Sequence, residues 1–342
     1  MMGGHVFTAT ETNSKEKWQQ AWEVLSGHPL QSWQWGQLKT QTGPWDAHRI
    51  IITDDSGKTV GGAQILVRSL PWPFTAMCYI PRGPLAAPGT HLADIADVCA
   101  AWCKKNTRAV SLKIDPAVTK ADLGKNLSAS WSNAPTVLIA KTATIPLTGS
   151  QDEIMHSIHS KKARQYIRKA TREGVVCRPA RREDLPDILN LYHHTANNDG
   201  FALHSDEFYN QAWSVLDGIN QVFVAEAEGK IQAFLWNATS GDTAFELWGA
   251  VSDQGKKLRA NYALKWTAIC AAKDRGTRLY DLNGLLNDGI SDFKLLWVSE
   301  PTWWIGTFDH PLKPLAGLWK TAMRLHSKWN QRNDAQKNTS SD

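Results

Sequence analysis

Nine Lys and Arg residues stand against one acidic residue, Glu173, in the stretch SKKARQYIRKATREGVVCRPARR, residues 160–182. Positions 161–182 sum to +8; since the formal net charge is +5, the other 320 residues sum to −3. So local an excess is suited to holding an anion. Lys161, Arg164, Arg168 and Arg172 fall at i, i+3, i+7 and i+11, which lines them along one helix face, while Ile154, Ile158 and Ile167 turn inward. The plain alternative is a solvated helix face. Almost no carboxylate interleaves to relieve the repulsion, and this favours an external polyanion: nucleic acid, an anionic membrane or a phosphorylated substrate.

A second basic row, Lys320, Arg324, Lys328 and Arg332, repeats every four residues near the C-terminus, opposite Leu315, Leu318, Ala322, Leu325 and Trp329. Two readings stay open for 313–332: a helix docked on its own domain, or a peripheral contact with an anionic leaflet. Cys99 and Cys103 share a helix face with His91 upstream, but no Cys-x-x-Cys pair supplies further zinc ligands. Two small core residues are the better reading, and no metal is expected.

These groups need a large scaffold. A chain of 342 residues exceeds one ordinary core, so two domains are expected. The 42% apolar and 21% charged composition is that of a globular protein, with an unusual 17 Trp. The polar N-terminus lacks a signal peptide's apolar core, no run of about 18 apolar residues occurs, and the five cysteines are odd in number. These features predict a cytoplasmic protein, at most peripheral on the inner face of the plasma membrane.

Along the chain, helical and extended patterns alternate twice. Trp18, Ala21, Trp22 and Leu25 mark a first helix that stops at Gly27; AHRIIIT and TVGGAQILVRSL read as strands, HLADIADVCAAWCKKN as a helix and AVSLKIDPAV as a strand ended by Asp115 and Pro116. The second round opens with one helix from Ser150 to Gly174, Ser150 and Glu153 having capping-box spacing. It continues through the strands QVFVAEAEGKIQAFLWNAT and TAFELWGAV, the helix RANYALKWTAICAAKDRG and the strand RLYDLNG. The expected fold class is mixed α/β, with two similar units side by side. Their bounds are read as 1–147 and 148–307, with a disordered tail at 331–342.

The ordered landmarks LQSWQWGQLK (30–39), YIPRGP (79–84), KIDP (113–116), the basic helix, TANNDGF (195–201), VFVAEAEGK (222–230), ANYALKWTAICAAKDRG (260–276), YDLNG (280–284) and FK (293–294) resemble the Fem family of peptidoglycan-bridge aminoacyltransferases. The likeness runs from about residue 15 to 312. It implies two tandem acetyltransferase-like (GNAT) domains without a coiled-coil arm, the segment 308–330 returning to the first domain. It also implies a monomer that moves an aminoacyl group from aminoacyl-tRNA to the side-chain amine of the third stem-peptide residue of lipid II or a UDP-linked muropeptide. No cofactor is implied beyond the aminoacyl-tRNA co-substrate.

By the same resemblance, Lys294 beside Phe293 is the catalytic donor to the tetrahedral oxyanion. Lys39 matches a phosphate contact, His204 stands where similar enzymes place a phosphate-binding Arg, and Phe208 where they place a Tyr. Neutral His is the poorer pyrophosphate ligand, which points towards lipid II or a differently posed precursor. Tyr209 is expected to supply the missing hydroxyl, and Trp248 to stack on a base or sugar or to serve the core. The row Lys161, Arg164, Arg168 and Arg172 becomes a tRNA-facing surface, or one facing anionic lipid near lipid II. No His, Cys or Ser constellation near these motifs suggests a covalent intermediate, so transfer is direct. Asp115 is a candidate base or a plain structural turn. The rivals are a coenzyme-A-dependent N-acetyltransferase, against which the glycine-poor turn DQGKKLRANYAL counts, and a non-catalytic tRNA- or membrane-binding protein.

Overall fold

A computed structural model describes residues 7–286 and 288–321. Arg324, Lys328 and Arg332, most of the second basic row, lie outside the described residues, as does the tail 331–342. In chain order the elements are β1 (Thr8–Glu11), α1 (Lys15–Val24), α2 (Trp33–Thr42), β2 (Trp45–Thr53), β3 (Thr59–Ser69), β4 (Ala76–Pro81), β5 (Leu85–Ala86), α3 (Leu92–Asn106), β6 (Ala109–Asp115), β7 (Ser132–Asn133) and β8 (Lys141–Pro146). Then come α4 (Gln151–Ser157), α5 (Lys161–Arg172), β9 (Val176–Pro179), α6 (Leu185–Asp199), α7 (Asp206–Val215), β10 (Asn220–Ala227), β11 (Lys230–Thr239) and β12 (Thr243–Val251). The last are α8 (Asp253–Leu258), α9 (Ala260–Asp274), β13 (Leu279–Gly284), α10 (Gly289–Leu295), β14 (Thr302–Trp303) and β15 (Phe308–Pro311). No described helix is long and apolar enough to cross a membrane.

Two sheets follow one plan. The first runs β1-β2-β3-β4-β6-β15-β7, with β5 also on β3; the second runs β14-β8-β13-β12-β11-β10-β9. Each holds one parallel pair, β4–β6 and β12–β13, and a helical crossover joins its strands: α3 in the first, α8 and α9 in the second. The strand beside the later member of each pair comes from outside that unit's run. β15 returns from the C-terminal side to pair with β6, and β8 precedes the second unit yet pairs with β13. β8, which precedes residue 147, thus lies in the second sheet, its antiparallel ladder running Thr144 to Asp281 and Ile145 to Tyr280.

Three apolar clusters hold these layers. Ile50, Ile65, Ile80, Cys99 and Cys103 centre the first, and Ala143, Ile145, Ile154, Ile167 and Leu264 the second. The third straddles the units: Trp18, Trp22, Leu25 and Leu38 pack with Ile188, Tyr192, Tyr209 and Trp236. His28 continues this junction, its ring meeting Phe245 of β12 edge-on at 4.9 Å. An apolar seam of this kind fixes two domains rigidly, unlike a polar one.

The helix expected from Ser150 to Gly174 is two helices. The capping box at Ser150 and Glu153 is present, but α4 ends at Ser157 and Ser160 caps α5 by accepting from Ala163 N. The break is held by α10's far side: His159 N donates to Trp297 O at 3.4 Å and Ser160 N to Leu296 O at 2.9 Å. Arg164 turns back and donates to the carbonyls of Ile158 and His156, closing the orphaned end of α4.

Two consequences are measurable. Ser160→Ala removes the α5 cap and should cost about 1 kcal/mol, read from the urea midpoint. His28 is buried beside Arg82, so its pKa lies well below 6.5. The unfolded ring titrates near 6.5, so below that pH the unfolded chain binds the extra proton and stability falls as pH drops. His28→Asn should flatten the decline in melting temperature between about pH 6.5 and 5; an unchanged decline would assign it to other groups.

Candidate active site

Charged residues buried in apolar strands and helices are costly unless paired, so they show where the fold holds charge by design. Glu246 on β12 and Lys265 on α9 are such a pair, hydrogen-bonded to each other with side chains 8% and 6% exposed. A bulge sets their geometry. Trp236 pairs with Trp248 but Asn237 with Glu246, so Leu247 is an extra residue on β12. With strict alternation Glu246 and Trp248 would share a face; the inserted residue turns Glu246 towards α9 and leaves Trp248 on the opposite face, packed on Trp236.

Lys294 stands beside this pair. Asp288 caps α10 through Ser291 N at 2.8 Å, and Ser291 Oγ accepts from Leu286 N, which ties the short helix to the end of β13. From there Lys294 Nζ donates to Gly284 O at 3.0 Å and Asn283 O at 3.4 Å. Asn283, at φ +64°, is itself fixed by its amide on Glu246 O and by its backbone N–H on Asp281 Oδ1. Burial lowers the pKa of Lys294 below the usual lysine value; Glu246, Asp281 and Asp288 oppose this, and Lys265 reinforces it. The result is a half-buried cation on two carbonyls at a strand end. Such a group is suited to stabilising a developing oxyanion.

Phe293 lies under the Lys265 ammonium at 5.5 Å and begins an aromatic path. Tyr262 meets Phe293 at 4.9 Å, Tyr166 of α5 meets Tyr262 at 5.2 Å, and the Arg259 guanidinium covers Tyr166 at 4.4 Å. The N-terminal half of the basic helix is thus joined to the Lys294 element by side chains as well as by the Ser160 and His159 bonds. Of the predicted row, Lys161, Arg168 and Arg172 are exposed. Arg164 is corrected: its guanidinium is committed to the α4 carbonyls, because the helix breaks there. Arg168 and Arg172 border a groove of about 640 Å³ floored by Met155, Ile167 and Trp266.

The second group of candidates meets across the junction. Gln31 donates to Pro81 O at 2.7 Å and accepts from Gln64 N at 2.7 Å, while Arg49 donates to Gln64 Oε1 at 3.0 Å and covers Trp33 at 3.7 Å. A side chain at Gly36 would strike Gln64 and Arg49, so the glycine of LQSWQWGQLK is needed for α2 to lie on this network. That seats Lys39, its Nζ 5.5 Å from the Trp35 ring centroid, with α2 packed on α7. His204 stacks on Phe208 at 3.9 Å; burial, then Lys39, lowers its pKa below the usual histidine value, which favours the neutral ring. Trp248 edges Phe208 at 5.7 Å and Tyr209 at 5.2 Å, so it walls this cluster.

Two expectations change. Tyr209 is 2% exposed and its hydroxyl accepts from His204 N, so it points inward and supplies no hydroxyl to a ligand. Asp115 is 1% exposed and bonded to Thr307 of the returning chain, between Tyr79 and Arg82, so it is a junction residue. Burial raises its pKa, as it does that of Asp281. Glu246, Lys265, Asp281 and the Tyr166–Tyr262 path were missed by sequence reasoning. A signal existed for the first two: each is a lone charge in an otherwise apolar run, TAFELWGAV and ANYALKWTAI.

Known proteins agree with this architecture. The "FemAB family" sequence model matches residues 11–144, and that of the "Acetyltransferase (GNAT) domain" residues 158–295. A lipid II:glycine glycyltransferase of Staphylococcus saprophyticus subsp. saprophyticus is 24% identical over 377 residues, covering 84% of this chain and 90% of that one. The crystal structure of FemX superposes with a TM-score of 0.81 at 21% identity, covering 91% of this chain and all of FemX. A tandem GNAT protein from the clavulanic acid biosynthesis pathway superposes at 0.50 with 11% identity, over 90% and 99% of the two chains. The fold is therefore a tandem pair of acetyltransferase-like domains, the first of which matches the FemAB family model.

Proposed function

We propose that this protein is an aminoacyltransferase of cell-wall synthesis. It takes an aminoacyl group from aminoacyl-tRNA and places it on the side-chain amine of the third stem-peptide residue of a peptidoglycan precursor. The observation that carries the reading is the seat of Lys294: a desolvated ammonium on the Asn283 and Gly284 carbonyls, one short helix from the start of the basic α5. The name of the staphylococcal relative, a glycyltransferase acting on lipid II, supports the reaction class.

Aminolysis of the ester proceeds by attack of the neutral amine on the carbonyl carbon. Negative charge gathers on the carbonyl oxygen, the amine sheds a proton, and the tRNA hydroxyl leaves with one. Lys294 serves as the fixed donor to that oxygen; Glu246 and Asp281 oppose the lowering of its pKa by burial. Lys161, Arg168 and Arg172 hold phosphates without reading sequence. Lys39 takes a phosphate of the precursor, with the neutral His204 beside it favouring the lipid-linked form. A coenzyme-A reading finds no support in the turn before α9, where α8 and the left-handed Arg259 occupy the place of a glycine loop.

The test is a transfer assay with tRNA charged by labelled amino acids, and with lipid II or the UDP-linked precursor as acceptor. Lys294→Ala should lose roughly 10²–10³ in turnover while binding tRNA as before. Label on neither acceptor, with tRNA still bound, would leave a binding protein. His204→Arg should tighten the UDP-linked precursor by several-fold and leave lipid II turnover little changed; equal effects on both would remove His204 from the choice of acceptor.

A further inference from the structure

One end of the first sheet gathers the ends of five elements. β3 closes at Ser69, β4 opens at Ala76, α3 closes at Asn106, β6 opens at Ala109 and β15 closes at Pro311. Their registers, Ser69 with Ala76, Ala76 with Ala109 and Ser111 with Pro311, bring them together. From this end the β3–β4 turn projects Trp72, 93% exposed. Behind it Phe74 packs on Trp319 at 5.0 Å, which brings the last described segment alongside. There Leu318 is 61% and Leu315 36% exposed, while Lys313 donates to Arg108 O and Lys320 to Ser132 Oγ, each at 3.0 Å.

On three chain segments at this end the charge has one sign, although exposed Asp46 lies near the start of β2, next to the partner of Arg68. Segments 68–76, 104–110 and 312–321 contain Arg68, Lys104, Lys105, Arg108, Lys313 and Lys320 and no Asp or Glu. A protruding Trp with exposed Leu, flanked by six cations, has the chemistry of the bilayer interface: the indole sits at headgroup depth and the cations meet the anionic leaflet. A protein partner would need a surface complementary to a projecting turn, and nucleic acid would leave Leu315 and Leu318 without a role. The exposed basic residues of α5 belong to the other unit.

We propose that this end of the first domain docks on an anionic phospholipid surface, with Trp72, Leu315 and Leu318 entering the headgroup layer. The docking is independent of the transfer reaction and extends the predicted C-terminal contact to the β3–β4 turn. It is tested by sedimenting the full-length chain with vesicles of phosphatidylcholine, alone or mixed with phosphatidylglycerol, without substrate. The protein should sediment with the mixed vesicles only, and less as salt rises. Each cation near such a surface contributes about fivefold, so Lys104→Glu with Lys105→Glu should weaken binding by more than tenfold. Trp72→Ser should weaken it by roughly fivefold, while Arg168→Glu with Arg172→Glu should leave it unchanged. Unaltered melting temperatures would show that the variants fold. Equal binding to neutral vesicles, or none to either, would overturn the proposal. So would wild-type binding by the Trp72 and lysine variants, loss confined to the α5 variant, or conversion of a dimer to a monomer by Trp72→Ser.

Discussion

The exchange of β8 and β15 is the constraint on which the rest of the molecule depends. Each sheet is completed beside its parallel pair by a strand that the chain supplies from outside that unit. Neither ladder is full without the connection, and an incomplete sheet exposes a row of unpaired backbone groups. The units are thus joined by hydrogen-bonded strands as well as by the aromatic seam of Trp18, Trp22, Tyr209 and Trp236. This rigidity matters because Lys39 and His204, which share one electrostatic environment, come from different units. A hinge there would let them separate.

Buried charge is concentrated beside these crossings. Asp115 takes a hydrogen bond from Thr307 just before β15, and Asp281 takes one from Thr142 on β8. Arg82 feels the charge of both carboxylates, and its guanidinium donates to Ile139 O. The exchanged strands therefore bring hydroxyl donors to two buried carboxyl groups. Asp281 in turn fixes the Asn283 backbone, whose carbonyl receives Lys294. The strand exchange reaches the candidate site through three hydrogen bonds.

Much of the fold was legible because its elements follow periodic apolar patterns. Trp18, Ala21, Trp22 and Leu25 are all buried on one helix face, and the strands from TVGGAQILVRSL to RLYDLNG stand close to where alternation and turn residues put them. The long basic helix failed for a specific reason. Ser160 reads equally as a helix residue or a cap, and the bonds that choose the cap come from Leu296 and Trp297, more than a hundred residues away. Arg164 fell with it, since its partners exist only because the helix breaks. Tyr209 was misread because its ring is buried and its hydroxyl accepts from the His204 backbone N–H.

Composition and order of motifs determined, without coordinates, that the chain holds two α/β units, that its positive charge is local, and that Lys294 follows Phe293 after a strand end. Periodicity carries such information because burial of apolar faces is a local property of each element. Tertiary structure alone decided which strand completes which sheet, that Glu246 and Lys265 share a buried bond, and that Trp72 projects beside the C-terminal segment. These are pairings between distant residues. Their energies depend on desolvation and on partners that no sequence window contains.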